Sequence, residues 1–200
     1  MKIESQMQSP INILTDKVKP YRVDYDASLQ CHMQPNPRYV LEKETTLSIA
    51  LEGDSILNHR RYSLVELHFH TPSEHRIDGK AYELEAHFVH KAETGQKAVV
   101  AVMLTAGKYN EGFEEVLRYL TRDHHHPMAH WQELLPTCGD YYYYLGSLTT
   151  APYSEGVEWY LFKEPVEVSS EQIALYRHRY DNNDRPLQPL KNRVVVSYGD

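Results

Sequence analysis

Polar and apolar residues alternate along 62–70 and again along 82–90. Alternation with a period of two is typical of a β-strand that buries one face. Shorter stretches rich in apolar and β-forming residues predict further strands over 38–42, 46–51, 97–105, 141–145, 157–162 and 193–198. The segment 97–105 is almost continuously apolar, which predicts a strand buried on both faces.

Two other segments carry the signals of α-helices. Within 111–121 the apolar residues fall at i, i+3, i+4 and i+7, as Phe113, Val116, Leu117 and Leu120. Before 170–180, Ser169 and Gln172 form the capping box that begins many helices. Because predicted strands outnumber helices, we expect a mostly β (α+β) fold with a central sheet and short peripheral helices.

Composition narrows the classes of protein. The 200 residues contain no repeat, linker or break in composition, so we expect one domain over 1–200. The net charge of −7 argues against a nucleic acid or an anionic membrane as partner, because both attract basic surfaces. No apolar run approaches the roughly 20 residues that span a bilayer. The sequence leaves the oligomeric state open.

Two features bear on the cellular compartment. Residues 1–6 carry no hydrophobic signal segment, which favours a cytoplasmic location, or a periplasmic one if a leader was removed. Cys31 and Cys138 are the only cysteines, and we expect both to be free thiols.

Histidines mark the two alternating strands. His68 and His70 are two apart, so their side chains project from the same face. His87 lies in the second strand, and Asp78-Gly79 between the strands is a strong signal for a tight turn. Folding back at that turn would bring His87 to the other two. Three neutral imidazoles with an open fourth position are typical of a catalytic zinc site.

Carboxylates precede these histidines at strand spacing. Glu66 is two residues before His68, and Glu85 is two before His87. Ligating histidines usually donate their second ring N–H to a carboxylate or a carbonyl, so both glutamates suit that supporting role. The alternative is that they are ordinary polar residues of a half-exposed sheet, which fits Glu85 less well because its strand is so apolar.

A different metal site competes for the same residues. His68, His70 and Glu74 match the first half of the cupin motif, which would imply manganese, iron or nickel. The cupin pattern requires a glycine where this chain has Tyr62, and its second half does not occur here. The cupin interpretation is therefore weak.

Six blocks of sequence, in family order, resemble the α-class carbonic anhydrases. They are 8–13 (QSPINI), 67–75 (LHFHTPSEH), 85–90 (EAHFVH), 146–152 (GSLTTAP), 159–172 (WYLFKEPVEVSSEQ) and 183–190 (NDRPLQPL). The resemblance implies a twisted, largely antiparallel sheet with Zn²⁺ at the base of a conical cleft. It also implies an enzyme that hydrates carbon dioxide reversibly to bicarbonate and a proton by means of zinc-bound hydroxide.

The same resemblance assigns roles by position. The metal ligands would be His68, His70 and His87, and the catalytic pair Thr149 and Glu74. Thr149 would accept a hydrogen bond from the hydroxide and donate its own proton to Glu74. Supporting residues would be Glu66, Glu85 and Asn183, and the substrate pocket would comprise Val89, Val99, Leu148, Thr150, Val157 and Trp159. His75 and His90 match histidines that are structural in the family.

Three departures from the family pattern matter. Glu66 stands where the family has glutamine, and we expect the carboxylate to raise the pKa of the zinc-bound water. Residues 41–46 match the segment that often carries a proton-shuttle histidine, but only Glu44 lies near that position, so we expect turnover to depend on added buffer. The family's N-terminal aromatic segment is also absent from this sequence.

A member of this fold that has lost catalysis and serves as a binding module is the alternative function. Loss of a zinc histidine usually marks such proteins. All three are present here, together with Glu74 and Thr149. The sequence therefore favours the enzyme.

Overall fold

Strands form most of the regular structure in the computed structural model, which describes residues 7–23, 25–34, 36–121 and 126–199. The strands are β1 (Asn12–Ile13), β2 (Lys19–Pro20), β3 (Gln30–Met33), β4 (Tyr39–Glu42), β5 (Leu47–Ala50), β6 (Gly53–Leu57), β7 (Arg60–His70), β8 (Arg76–Ile77), β9 (Leu84–Lys91), β10 (Lys97–Ala106), β11 (Tyr141–Ser147), β12 (Glu155–Phe162), β13 (Val166–Val168) and β14 (Val196–Tyr198). The helices are α1 (Glu111–Leu120) and α2 (Ser170–Arg179), with 3₁₀ turns at Thr15–Lys17 and Trp131–Leu134.

One large twisted sheet organises the molecule. Its strands follow the order β2-β14-β11-β12-β10-β9-β7-β5-β4, with β13 beside β10 and the β3–β6 pair attached to β7. Most neighbours are antiparallel, whereas β12 and β13 run parallel to β10 and β2 runs parallel to β14. The predicted mostly β fold with two peripheral helices is confirmed, and the sheet is mixed.

All eight predicted strands form, most with ends shifted by one or two residues. The largest shift is in the last, which begins at Val196 rather than at residue 193. Sequence patterns missed the two- and three-residue strands β1, β2, β8 and β13, and they also missed β3 (Gln30–Met33) and β6 (Gly53–Leu57). Strands β3 and β6 exist because β6 pairs with β3 on one side and with the first half of β7 on the other.

The sheet separates two apolar clusters. Strand β10 supplies both of them, since Val100 and Val102 face the larger cluster and Val99 and Ala101 the smaller one. All four side chains are at most 2% exposed. The prediction that this strand is buried on both faces is therefore confirmed.

Both helices pack on the larger cluster. Asn110 caps α1 by accepting a hydrogen bond from the Phe113 N–H at 2.8 Å. The capping box of Ser169 and Gln172 at the start of α2 is present as predicted. Phe113 and Tyr176 are fully buried against the sheet, so the helices hold the face opposite the histidine cluster.

The structure describes only some of the residues on which the predictions about the cellular compartment depend. Cys31 and Cys138 are both free. Among the described residues, none of the helices combines the length and apolar character that crossing a bilayer requires. Residues 1–6, on which the signal-segment prediction depended, lie outside the described ranges.

Candidate metal centre

Strand register brings the three predicted ligands together. β7 and β9 pair antiparallel with His68 directly opposite His87, and His70 follows two residues along the same face. The ring centres of the three imidazoles lie 4.7 to 5.2 Å apart. Asp78 and Gly79 form the predicted turn with φ of 50° and 79°. That turn lies within a longer connection, so the extended pairing of β7 with β9 sets the register.

Two of these rings use one nitrogen for a hydrogen bond to a group outside the cluster. His70 donates from Nδ1 to the backbone carbonyl of Asn183 at 3.1 Å. His87 donates from Nε2 to Oε1 of Glu85 at 2.7 Å. When such a ring is neutral, its other nitrogen, Nε2 of His70 or Nδ1 of His87, carries the lone pair that can bind a metal. Nδ1 of His68 lies 2.9 Å from Oε1 of Glu66, which leaves its Nε2 for the centre of the cluster.

The free nitrogens fit a small tetrahedral metal ion. Nε2 of His68 and Nδ1 of His87 are 3.3 Å apart, close to the separation of two ligands held about 2.05 Å from one zinc ion. All three ligand atoms lie within 4.8 Å of one another. Nε2 of His70 is buried without a hydrogen-bond partner among the described residues. An orphaned imidazole nitrogen in such a set is well suited to a metal.

Burial keeps two of the rings neutral, the form that binds metal. It lowers the pKa of His68, and it lowers that of His70 well below the ordinary value, aided by the neighbouring imidazoles. Burial would also lower the pKa of His87, but the charge of Glu85 outweighs it and raises that pKa. Glu85 itself is fully buried and stays ionised, because His75 and His87 hold its pKa well below the usual range against the effect of burial.

A buried hydrogen-bond chain supports Glu85 from behind. Oε2 of Glu85 accepts from the His75 backbone N–H at 2.8 Å, and Oε1 from His75 Nδ1 at 2.7 Å. The other nitrogen of His75 lies 2.6 Å from the Tyr144 hydroxyl, which lies 2.7 Å from that of Ser9. His75 is therefore saturated by its neighbours.

Glu74 and Thr149 lie beside the histidine cluster. Glu74 is 2% exposed, and its Oε1 accepts the backbone N–H of Arg185 at 2.9 Å. Its Oε2, 3.9 Å from Nδ1 of His87, is buried without a hydrogen-bond partner among the described residues. Burial raises the pKa of Glu74 to about 7, against opposing contributions from His87 and the Thr149 hydroxyl. A bound dication would lower this pKa, since an opposite charge favours the carboxylate.

A cleft of about 560 Å³ leads to the cluster, with His68, His70, Glu74 and Thr149 on its wall. Val89, Leu148 and Thr150 also line it. The remaining predicted pocket residues, Val99, Val157 and Trp159, lie in the smaller apolar cluster, at 2%, 1% and 1% exposure. Val89 and Leu148 pack against that cluster, so the apolar wall of the cleft is continuous with it.

Comparison with known proteins places the chain in a family. The family model described as eukaryotic-type carbonic anhydrase matches residues 2–199. The chain belongs to the carbonic anhydrase family. A carbonic anhydrase of Pectobacterium carotovorum is 34% identical over 94% of this chain and 79% of its own length, and one of Nostoc sp. is 31% identical over 94% and 75%.

A solved structure agrees with this placement. The α-carbonic anhydrase of Thermovibrio ammonificans, in complex with the inhibitor sulfanilamide, has a TM-score of 0.86 and 37% identity. The match covers 96% of this chain and 87% of the other.

Sequence reasoning missed several residues around the carbonic anhydrase cleft. Lys43, Tyr153 and Arg185 line it, and the Arg185 guanidinium lies 3.8 Å from the centre of the Tyr153 ring. Arg185 also donates to the backbone carbonyl of Ser9 at 2.6 Å. The signal for Arg185 was its place in the 183–190 block. Lys43 carried no such signal.

Asn183 supports the centre in a way that the sequence did not specify. Its backbone carbonyl, rather than its side chain, contacts His70. The side chain accepts from the Thr71 backbone N–H at 2.7 Å and donates to the carbonyls of Thr45 and Phe69. Asn183 thereby fixes the end of β7 that carries His70.

Proposed function

We propose that the chain hydrates carbon dioxide reversibly at a zinc ion held by His68, His70 and His87. One observation carries the proposal: three imidazole nitrogens lie close together, and two of their rings line a cleft that Val89 and Leu148 also line. Bound zinc would lower the pKa of a coordinated water to about 7, far below that of bulk water, so that a strong nucleophile exists at neutral pH.

The carboxylate and carbonyl partners orient the ligand rings. Glu85 and the Asn183 carbonyl fix His87 and His70 by accepting their outer N–H groups, and Glu66 is placed to do so for His68. Such partners select the tautomer and raise the basicity of the metal-binding nitrogen.

Thr149 and Glu74 orient the nucleophile. Glu74, held by the Arg185 N–H, is placed to accept a hydrogen bond from the Thr149 hydroxyl. The Thr149 oxygen then has only lone pairs to offer the reaction centre, so it accepts a hydrogen bond there and fixes the direction of attack.

The apolar wall provides a place for carbon dioxide. Val89 and Leu148 reach the cleft, with Val99, Val157 and Trp159 behind them. An uncharged substrate without hydrogen-bond donors gains from such a surface. Thr150 adds a hydroxyl at the rim.

Transfer of the product proton to solvent requires a group in the cleft that can accept and release it near neutral pH. The described residues that line the cleft include no histidine except His68 and His70. Both are proposed ligands, so neither is free to carry a proton outward. We therefore expect added buffer to carry it.

Stopped-flow measurement of carbon dioxide hydration tests the proposal, on protein with verified zinc content, beside Thr149→Val. Valine keeps the shape of threonine and removes the hydroxyl. We expect equal zinc content and a rate about a hundredfold lower in the variant, the usual cost of one preorganised hydrogen bond in a reaction centre. Zinc-loaded wild type without activity at high buffer would contradict the proposal and favour a binding module of the same fold.

Domain organisation and location stay predictions. We propose one domain over 1–200, supported by the extent of the family match, and a cytoplasmic location, with which the free Cys31 and Cys138 are consistent.

A further inference from the structure

Lys43 and Glu66 form an ion pair on the wall of the cleft. Nζ of Lys43 lies 3.6 Å from Oε1 of Glu66, and the same oxygen lies 2.9 Å from Nδ1 of His68. One carboxylate oxygen thus connects a lysine to a proposed zinc ligand. The two side chains are 46% and 31% exposed, so water reaches the pair but does not surround it.

The loop that carries Lys43 is held at several points. The loop joins β4 to β5, and the Lys43 N–H donates to the Thr46 carbonyl at 2.9 Å. The Asn183 side chain donates to the Thr45 carbonyl at 2.7 Å, and Arg179 lies 3.2 Å from Glu42. These ties fix the backbone from which the lysine reaches Glu66.

Glu66 without a counter-charge would add a full negative charge beside a zinc ligand. A carboxylate draws the imidazole proton toward itself, which makes the other nitrogen a stronger donor to the metal. It also makes the cleft less favourable for an anion such as bicarbonate.

The other cation on the cleft wall is engaged elsewhere. The Arg185 guanidinium lies over the Tyr153 ring at 3.8 Å and donates to the Ser9 carbonyl at 2.6 Å. Lys43 is therefore the described cleft cation placed to neutralise Glu66.

We infer that Lys43 is a positioning residue that sets the charge of the metal pocket: it neutralises Glu66, so that His68 has an oriented acceptor without a net negative charge beside the metal. This inference rests on the proposed function, since it concerns the same zinc. It names a residue of the hairpin loop as part of the support of His68.

Opposite shifts in two binding constants test the inference. Zinc affinity is measured by competition with a chelator, and thiocyanate affinity by the visible absorption of the cobalt-substituted protein. Lys43→Met should bind zinc about fivefold more tightly and thiocyanate about threefold more weakly, as one lost positive charge near the site requires. Glu66→Gln should shift both constants the other way, and the double variant should return near wild type.

Two controls separate charge from structure. Arg38→Met removes a positive charge from the start of the same hairpin, where Arg38 pairs with Glu52 at 3.0 Å on the surface, and should shift neither constant. Lys43→Arg keeps the charge and should resemble wild type.

Weaker zinc binding in Lys43→Met, or a double variant that binds zinc more weakly than either single variant, would overturn the inference, because both indicate a structural contact. The two affinities are measured apart from turnover. An inactive wild type that still shows the opposite shifts would overturn the proposed function and support the charge assignment.

Discussion

His87 and His90 occupy the same strand, β9, and are both at most 1% exposed, yet their surroundings differ. His90 contacts the Ser55 hydroxyl at 2.9 Å through Nε2 and the Phe88 carbonyl at 2.7 Å through Nδ1. His87 donates a hydrogen bond from Nε2 to Glu85, and its Nδ1 faces two more imidazoles. Burial alone therefore does not identify a metal ligand. What distinguishes His87 is a ring nitrogen that faces other imidazoles instead of a hydrogen-bond partner elsewhere in the protein.

Replacing each of the two histidines by alanine should give the largest difference in zinc content and activity. We expect His87→Ala to lower carbon dioxide hydration about a thousandfold or more, because without zinc water ionises several pH units higher. His90→Ala should keep its zinc and most of its activity while losing stability. Zinc content and stopped-flow rates measure both. Equal loss of zinc in the two variants would contradict the distinction.

The stability of the fold should decrease at acidic pH, because His90 is buried in its neutral form. Burial lowers its pKa to about 4, below the unfolded value of about 6.5. Between these values the unfolded chain binds a proton that the folded chain does not, so stability falls as the pH drops from 6.5 to 4, by about 3 kcal/mol in all. Urea unfolding from pH 7 to pH 4 measures it. His90→Asn should lose less stability over that range, and parallel losses would contradict the assignment.

Removing the hydrogen-bond partner of His87 should weaken zinc binding, whereas removing that of His90 should not. Glu85→Gln should weaken zinc binding about 10- to 100-fold, the usual effect of removing a ligand's carboxylate partner. Ser55→Ala removes the corresponding partner of His90 and should leave zinc affinity unchanged. Chelator competition measures both constants. A zinc affinity in Glu85→Gln that matches wild type would show that the buried carboxylate does not support the metal.

The smallest effect is expected at Glu66, whose side chain is 31% exposed while that of Glu85 is fully buried. Water screens the more exposed carboxylate, so Glu66→Gln should move the midpoint of the pH–rate profile toward acid by less than about one pH unit. Rates of hydration between pH 6 and 9 test this. A midpoint that stays in place or moves toward alkaline pH would exclude electron donation through His68.

The alternation of polar and apolar residues was enough to predict the strands that carry the histidine cluster. Alternation identified β7 and β9, and period two placed His68 and His70 on one face, because strand geometry fixes the direction of successive side chains. The same rule placed Glu85 beside His87. Strands β3 and β6 escaped prediction, since their short and partly polar segments become strands only through pairing with each other and with β7.

The sequence by itself therefore determined eight of the fourteen strands that the structure describes, both α-helices, the shared face of two histidines and, through six blocks, the family. Tertiary structure decided which backbone groups complete the site. The carbonyl of Asn183 meets His70, and the N–H of Arg185 meets Glu74, across more than 100 residues of chain. Every residue has a backbone carbonyl and every residue except proline an N–H, so no side-chain pattern marks the groups that complete the site. Only the folded path of the chain selects them.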